Sequence, residues 1–255
     1  MQTVLISGGA GGIGLATVKR FGVEGFQVIS LDRHTIPWDD ISELMIPPVQ
    51  VIADLTDDSE VEQAFEEISS DPDISRGISH LVGIAGGALP DEPILQTKGE
   101  LPDPALFLAS LDHNLVSQWR VLIHALPHLE RAAHAGESPS VTFVSSINAL
   151  AAYGMPGYSA AKAGLIGLTN SLTDFLGVRG IRINVLAPGT VPTPRTRAEW
   201  AHKPGHFEQA DSRAALGHVG SPEAIAESLW ALACHFPHTT GEVIAADGGQ
   251  MKHQG

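Results

Sequence analysis

A tyrosine and a lysine four residues apart are the side chains in this sequence that are best placed to move a proton. Tyr158 and Lys162 lie in the segment YGMPGYSAAKAG, whose alanines favour a helix, and residues four apart lie on the same helix face. A free tyrosine has a pKa of about 10 and is a poor acid–base catalyst at neutral pH. A neighbouring cation favours the phenolate and lowers that pKa. The pair therefore predicts proton transfer, although the same spacing also occurs on exposed helix faces that have no function.

Two serines precede this pair at the end of a strand-like run. Ser145 and Ser146 follow the apolar stretch 141–144, a few residues before Tyr158. Hydroxyl groups at the carboxyl end of a parallel strand can point into the crevice where open α/β sheets bind ligands. Their position strengthens the case for the tyrosine–lysine pair, because it supplies a second group that can bind a substrate oxygen.

A glycine-rich turn near the start of the chain has the spacing of a phosphate-binding loop. The stretch SGGAGGIG places Gly8, Gly12 and Gly14 directly after the strand-like residues 3–6, and helical spacing continues from Ile13. Missing side chains let the backbone approach a pyrophosphate, and N–H groups at a helix start stabilise its charge. Glycines also serve tight turns, but the order of strand, glycines and helix predicts a dinucleotide site.

Acidic residues after the next two strands address the adenosine end of such a dinucleotide. Asp32 follows Gly14 by 18 residues, and a carboxylate there accepts both ribose hydroxyls while it repels an added 2′-phosphate. Arg33 can pair with that phosphate, so the sequence favours NAD and keeps NADP as the alternative. Asp54 has two interpretations of equal weight: it accepts from the adenine amino group, or it belongs to a helix start together with Thr56.

The elements that position these residues alternate between short apolar runs and longer helical stretches. Seven runs are typical of buried strands, at residues 3–6, 26–31, 49–52, 80–84, 141–144, 181–186 and 242–246. Helical periodicity lies between them, as in 59–69. Repeated β-α-β units with buried strands predict an α/β fold: a single Rossmann-type domain over residues 1–255, with a doubly wound parallel sheet of seven strands and helices on both faces.

Two segments depart from this alternation. Residues 88–104 contain four prolines and predict a loop. Residues 192–220 mix proline, glycine and histidine with a short helical stretch around Trp200, and they follow the sixth strand at the edge where ligands bind. This second segment is a candidate substrate lid, with an ordinary surface loop as the alternative.

Composition excludes several classes of function. The chain has 15 Lys and Arg against 29 Asp and Glu, a net charge of −14, which argues against binding to nucleic acid or to an anionic membrane. No run reaches the roughly 18 apolar residues that span a bilayer. The residues before the first strand lack a basic region followed by an apolar one, so we expect no secretory leader. The single cysteine, Cys234, leaves no intrachain disulfide, so we expect a cytoplasmic protein. Histidine pairs such as His124 and His128 lack a third ligand, so we expect no metal site.

Taken in order, these motifs resemble those of the short-chain dehydrogenase/reductase family over essentially the whole length of the chain. The matching pieces are SGGAGGIG, Asp32, Asp54, Ala85-Gly86, Asn114, Ser145-Ser146, Tyr158 with Lys162, Pro188-Gly189 and the ending Thr240-Gly241…Asp247-Gly248-Gly249.

The resemblance implies a role for each of the matching residues. Tyr158 exchanges a proton with the substrate oxygen, Lys162 holds the nicotinamide ribose and depresses the tyrosine pKa, and a serine of the pair binds the substrate carbonyl. Asn114 helps to hold a water that links Lys162 to solvent. Further contacts with the cofactor are expected from Ile13, Leu55, Ala85, Gly86, Pro188, Gly189, Val191 and Thr193.

Two features of the family pattern indicate different serines as the active one. Ser145 precedes Tyr158 by 13 residues, the interval usual in the family, whereas Ser146 holds the second place of the pair, where the catalytic hydroxyl usually lies. Strand register fixes the direction of a side chain, and a loop can absorb one deletion, so we favour Ser146. A further departure is Gly83-Ile84 in place of two asparagines, which removes part of the family's support for the central strand.

These observations predict a cytoplasmic, NAD-preferring oxidoreductase that interconverts a small secondary alcohol and a ketone. The resemblance implies a homotetramer, or a homodimer, built through the helices after the fourth and fifth strands. Two alternatives use the same fold: an epimerase or dehydratase, and a noncatalytic dinucleotide-binding redox sensor.

Overall fold

Seven parallel strands form one sheet in the computed structural model, which describes residues 1–74, 77–90, 92, 95, 100–151 and 154–252. In chain order the strands are β1 (Thr3–Ser7), β2 (Gln27–Asp32), β3 (Val49–Ile52), β4 (His80–Gly83), β5 (Ser140–Val144), β6 (Arg182–Pro188) and β7 (Val243–Ala246). Their spatial order is β3-β2-β1-β4-β5-β6-β7. Each predicted strand is found, with bounds that shift by at most two residues.

Helices cover the sheet and form most of the connections between strands. They are α1 (Gly12–Val23), α2 (Trp38–Ile41), α3 (Asp58–Ser70), α4 (Pro104–Leu111), α5 (Ser117–His134), α6 (Pro156–Gly177), α7 (Pro194–Trp200), α8 (His206–Arg213) and α9 (Pro222–Cys234). A π-helical turn, Asp112–Val116, joins α4 to α5, and 3₁₀ turns occur at Pro72–Ile74 and Ile147–Ala149.

Two apolar cores, one on each face of the sheet, hold these helices. Val61, Leu129 and Leu165 represent α3, α5 and α6 in the first core, and Phe21 and Leu229 represent α1 and α9 in the second. Strands buried on both faces need apolar residues throughout, which is why they appear in the sequence as continuous runs. The predicted doubly wound Rossmann-type architecture is confirmed.

Sheet order places a crevice at the carboxyl ends of β1 and β4. The chain runs from β1 outward to β3 and then returns to β4 on the other side of β1, so the connections leave in opposite directions. Ligands of open α/β sheets bind at such a point. The candidate lid at residues 192–220 lies after β6 and contains α7 and α8. The predicted loop at 88–104 falls partly outside the described residues, and α4 begins at its last position.

Gln118 supplies support for the central strands that the sequence at Gly83-Ile84 was expected to lack. Its Nε2 donates to the carbonyl of Ala85 at 2.7 Å, and its Oε1 accepts from Ser7 Oγ at 3.1 Å. Ser7 Oγ in turn accepts from the Ile84 amide. A Cβ at position 83 would lie 2.5 Å from Gln118 Oε1, so glycine there makes room for the amide that ties α5 to β1 and β4.

Candidate active site

The residues predicted to do chemistry meet at the carboxyl edge of β4 and β5. Tyr158 and Lys162 lie on the first turns of α6, Ser146 follows β5, and Asn114 lies in the π-helical turn after α4. These elements are far apart in the sequence, and the crossover connections of the sheet bring them together.

The two serines have different partners. Ser145 Oγ, which is buried, donates to the carbonyl oxygen of Lys162 at 2.8 Å. Ser146 Oγ donates to Asn148 Oδ1 at 3.3 Å and accepts from the Asn148 amide at 3.2 Å, and it is close enough to Tyr158 to lower the pKa of the phenol. The hydroxyl beside the phenol is therefore that of Ser146, whereas Ser145 binds the backbone of α6.

Lys162 lies almost entirely inside the protein, with 3% of its surface exposed. Its Nζ donates to the carbonyl of Val144 at 2.9 Å and lies 5.7 Å from the centre of the Tyr158 ring. Burial disfavours the ammonium and lowers the pKa of Lys162 from its ordinary value of 10.5 to about 8. The side chain is therefore close to a change of protonation at moderately alkaline pH.

The pKa of Tyr158 differs from the sequence-based expectation. Burial raises it above its ordinary value of 10, and the carboxylates of Glu92 and Glu199 raise it further. The nearby Ser146 hydroxyl and the charge of Arg195 lower the pKa of Tyr158. Lys162 was expected to lower this pKa, but here its ammonium faces the Val144 carbonyl, and burial is the larger effect.

Asn114 joins the glycine turn after β4 to helix α4. Its Oδ1 accepts from the Gly87 amide at 2.7 Å, and its Nδ2 donates to the carbonyls of Gly87 and Ser110 at 3.0 and 3.1 Å. A Cβ at Gly86, which has φ of +136°, would lie 2.5 Å from Asn114 Oδ1 and 3.4 Å from Lys162 Nζ. Asn114, Gly86 and Lys162 therefore converge on one place.

The glycine-rich turn closes against neighbouring strands and against the candidate lid. A Cβ at Gly8 would lie 2.7 Å from the amide nitrogen of Ala85, and one at Gly14 would overlap the Gly8 carbonyl. A Cβ at Gly12 would lie 2.7 Å from Thr193 Cβ, so this glycine brings the start of the lid onto the turn. The first turn of α1 receives no side-chain cap at its N-cap Gly11, which leaves its N–H groups for an anion.

Asp32 holds the turn from its other side. One carboxylate oxygen accepts from the Ala10 amide and the other from the His34 amide, each at 3.0 Å. Arg33 is exposed beside it. The acid therefore lies at the end of β2 next to the glycine-rich turn, where the sequence placed the adenosine ribose.

Asp54 shows features of both interpretations that the sequence left open. Its Oδ1 accepts from the amide and hydroxyl of Thr56, bonds that lower the pKa of the Asp54 carboxyl, and the cap of α3 is Asp57 instead. Asp54 is half-buried close to the charges of Arg33 and His113. Leu55, predicted to contact the cofactor, has its side chain buried in the core.

The residues after β6 form a turn that leads into the lid. A Cβ at Gly189 would lie 2.9 Å from Asp247 Cα, so this position requires glycine. Val191 packs into the core beneath, with Ile13 against the same cluster. Thr193 caps α7, because its Oγ1 accepts from the Thr196 amide at 3.1 Å. The segment from Pro188 to Thr193 therefore ends against the glycine-rich turn, where Thr193 lies next to Gly12.

Two charged residues near Tyr158 were not found by sequence reasoning. Glu92 is 8% exposed and accepts hydrogen bonds from the Tyr158 amide and from Ser110 Oγ. Arg195 on α7 donates to the carbonyls of Gly86 and Ala88, and so joins the lid to the turn after β4. Both belong to the segments without regular periodicity, and only their charge in an otherwise apolar or proline-rich context distinguished them.

Other kinds of site are absent from the part of the chain that the structure describes. It contains no group of three or more His, Cys, Asp or Glu side chains arranged to hold a metal ion. Among the same residues, no helix has the length and apolar character to cross a membrane.

Comparison with known proteins places the chain among oxidoreductases. A family model described as Enoyl-(Acyl carrier protein) reductase matches residues 8–251. The chain is 32% identical to a 3-oxoacyl-[acyl-carrier-protein] reductase of Thermotoga maritima over 97% of each protein, and 31% identical to an oxidoreductase of Schizosaccharomyces pombe over 98% of this chain and 91% of that one. A solved oxidoreductase from Burkholderia thailandensis, described as of the short chain dehydrogenase/reductase family, is 32% identical with a TM-score of 0.81, over 99% of this chain and 93% of that one.

Proposed function

Because the chain is an oxidoreductase of the short-chain dehydrogenase/reductase family, we propose that it interconverts a secondary alcohol and a ketone, with Tyr158 as acid and base. The observation that carries this proposal is the position of Tyr158 beside the Ser146 hydroxyl and beside the buried ammonium of Lys162, whose Nζ lies 5.7 Å from the centre of the Tyr158 ring. A substrate carbonyl bound between Tyr158 and Ser146 would receive two hydroxyl donors. Two donors stabilise the negative charge that develops on the oxygen during reduction.

A nicotinamide dinucleotide fits the residues of the crevice. The uncapped start of α1 offers N–H groups to a pyrophosphate, and close backbone packing at Gly8, Gly12 and Gly14 leaves no side chain in the way. The position of Asp32 at the end of β2, beside the glycine-rich turn, supports a role in binding the adenosine ribose. The bound dinucleotide supplies or accepts the hydride, which no side chain can carry.

The chain's own residues handle the proton. In reduction the Tyr158 phenol donates to the new alkoxide oxygen while Ser146 Oγ–H binds the same atom. Lys162 would hold the ribose hydroxyls of the nicotinamide. Its Nζ, which now donates to the Val144 carbonyl, would leave that carbonyl or bind both groups. Asn114, already bound to the Gly87 backbone, helps to hold a water near Lys162 through which the proton is replaced.

We expect NAD rather than NADP as the coenzyme. The Asp32 carboxylate is fixed by the Ala10 and His34 amides, so it cannot turn away from a 2′-phosphate without losing both bonds. Gly11 in the glycine-rich turn adds no cation there. Arg33 is exposed and favours the opposite choice, but like any solvated cation it is screened.

The substrate is expected to be a small alcohol or ketone held under the 192–220 lid. α7 begins directly over the glycine-rich turn, at Thr193, and Arg195 fastens it to the turn after β4. Movement of α7 and α8 would open the crevice beside Tyr158. Trp200 and Phe207, whose rings are 4.8 Å apart, hold the two lid helices together.

Assembly into a homotetramer, or into a homodimer as the alternative, is supported by an apolar surface on α5 and α6. Trp119, Ile123 and Phe175 are each more than a third exposed there, and they line a groove of about 100 Å³. Burial of such side chains against a second copy removes apolar area from water. A cytoplasmic location, with no nucleic acid or membrane as partner, follows from the charge of −14 and the single cysteine.

Absorbance of the reduced nicotinamide, followed with a panel of secondary alcohols and ketones, tests the reaction. We expect turnover that falls by at least about a hundredfold in Tyr158→Phe, while the dissociation constant for NADH stays within about twofold of the wild-type value. Binding of NADH without turnover across the panel would instead support a redox sensor. Turnover that survives in Tyr158→Phe would remove Tyr158 from the mechanism.

A further inference from the structure

We propose that Glu92 is a positioning residue for Tyr158: its buried carboxylate binds the start of α6 from a distant segment and places a negative charge at the backbone of the residue that carries the phenol. This proposal rests on the acid–base role proposed for Tyr158. Neither the spacing of motifs nor the comparisons assign a role to Glu92.

Helix α6 begins without a hydrogen-bonding cap from its own N-cap residue. Its N-cap residue, Met155, provides no side-chain hydrogen bond, and Pro156 at the first position has no N–H to offer. Glu92 Oε1 accepts from the amide of Tyr158, the third residue of the helix. A carboxylate at this place binds a free N–H group and interacts favourably with the helix dipole. The cap of the catalytic helix therefore comes from 66 residues earlier in the chain.

Glu92 is itself held in place. Its Oε2 accepts from the hydroxyl of Ser110, a fully buried residue of α4, at 3.0 Å. A Cβ on Gly157 would lie 3.0 Å from Glu92 Oε1 and 2.8 Å from Ser110 Cβ, so glycine at that position permits the close approach. The Ser110 carbonyl accepts from Asn114 Nδ2. One network thus joins Glu92 to Asn114 as well as to the backbone of Tyr158.

Four charged side chains, from three parts of the chain, act on Tyr158. Lys162 comes from the same helix, Arg195 and Glu199 come from α7, and Glu92 comes from the segment before α4. Arg195 and Glu199 form an ion pair of 2.8 Å and are both nearly half exposed, so solvent screens them. Glu92 is 8% exposed, and its two oxygens accept from donors as a carboxylate does. Its charge helps to raise the pKa of Tyr158 and so favours the protonated phenol needed for reduction.

Removal of the negative charge of Glu92 should lower the pKa of Tyr158. Glu92→Gln keeps an amide oxygen for the Tyr158 N–H and an amide group for Ser110, but it removes the negative charge. The phenolate then becomes easier to form, and the pKa of Tyr158 falls. Oxidation needs the phenolate, so its activity should rise at a lower pH in this variant than in the wild type. Reduction needs the phenol, so its loss of activity on the alkaline side should begin at a lower pH than in the wild type.

Titration of the tyrosines by NMR measures this directly and needs no substrate. The chain has two tyrosines, so ¹³Cζ-labelled tyrosine gives two signals, and Tyr158→Phe identifies the signal of Tyr158. We expect the Tyr158 midpoint to move to lower pH in Glu92→Gln. The matched control is Glu100→Gln, the same change at an exposed position of the same segment, which should leave the midpoint where it is. Circular dichroism verifies that each variant is folded.

A second variant keeps the test decisive if Glu92→Gln does not fold. Glu92→Asp retains the charge but draws it back by about one methylene, so the midpoint should move in the same direction by less. A Tyr158 midpoint that moves in neither variant, or to higher pH in Glu92→Gln, would overturn the proposal. A shifted midpoint without turnover on any substrate would reject the proposed function and leave the effect of Glu92 on Tyr158 intact. Turnover that depends on Tyr158, with an unmoved midpoint, would support the proposed function and reject the role of Glu92.

Discussion

Ser145 Oγ donates a hydrogen bond of 2.8 Å to the carbonyl oxygen of Lys162, and this bond joins the end of β5 to α6. Ser146 has extended backbone angles, so neighbouring side chains point to opposite sides. Its hydroxyl accordingly lies on the other side of the chain, beside Tyr158. Strand geometry thus divides two identical residues into one that binds the backbone and one that faces the substrate crevice.

Alanine substitutions of the two serines should have different consequences. Ser146→Ala removes a donor to the substrate oxygen, and we expect kcat to fall by about a hundredfold with little change in unfolding. Ser145→Ala removes a buried hydrogen bond, and we expect a loss of about 1 kcal/mol in the free energy of unfolding with most of kcat retained. Steady-state kinetics and urea unfolding measure both. If the two variants exchanged these effects, Ser145 would be the residue that binds substrate.

Coenzyme preference should depend on Asp32. Asp32→Ala removes the carboxylate that repels a 2′-phosphate, and with Arg33 still present we expect the ratio of NADPH to NADH affinity to rise by at least about tenfold. Fluorescence titration with both coenzymes measures the ratio. Asp39→Ala, at an exposed acid of α2, is the control and should leave the ratio unchanged. An unchanged ratio in Asp32→Ala would show that Asp32 does not read the ribose.

The sequence predicts this fold well because the strands are buried on both faces and so stand out as apolar runs. The glycine-rich turn and the tyrosine–lysine pair are equally local: each is a short spacing that a single helix or turn converts into geometry. These signals predicted the seven strands, their parallel orientation and the helices on both faces of the sheet.

Residues whose partners lie far along the chain could not be predicted in the same way. Glu92 meets Tyr158 across 66 positions and Arg195 meets Gly86 across 109, with no periodic pattern to join them. The direction in which the pKa of Tyr158 shifts also depends on burial and on which group the Lys162 ammonium faces, and the spacing of residues specifies neither. Gln118 compensates for Gly83-Ile84 through packing that only the folded structure shows.

Stability should depend on Gln118 more than its type suggests. Gln118→Leu leaves Ser7 Oγ and the Ala85 carbonyl without this partner, and each buried polar group that loses its partner costs about 1–3 kcal/mol. We expect a loss of roughly 2–4 kcal/mol in the free energy of unfolding, measured by urea denaturation. Gln63→Leu, the same change at an exposed position of α3, should cost less than about 0.5 kcal/mol. Equal effects of the two changes would contradict a role for the Gln118 bonds.

Lys162 should lower the stability of the fold while it serves the site. Its folded-state pKa of about 8 lies below the ordinary value of 10.5, so the folded protein disfavours the ammonium relative to the unfolded chain. This cost is fully present below pH 8, on the order of 3 kcal/mol, and disappears as the pH rises towards 10.5. Lys162→Met fills similar volume without the charge but leaves the Val144 carbonyl without its donor, which offsets about 1 kcal/mol.

Lys162→Met is therefore expected to be more stable than the wild type by about 2 kcal/mol at pH 7, and inactive. Urea unfolding at pH 7 and at pH 9.5 tests the origin of the gain, because a burial cost of the ammonium must shrink between these two values. Leu165→Ala, which removes a buried side chain one turn further along α6, is the control and should be less stable at both. A Lys162→Met variant that is less stable than the wild type at pH 7, or whose gain does not change with pH, would contradict this account. If the gain is found, the enzyme keeps at its centre a charge that weakens its fold, because the same burial keeps the ammonium beside the phenol.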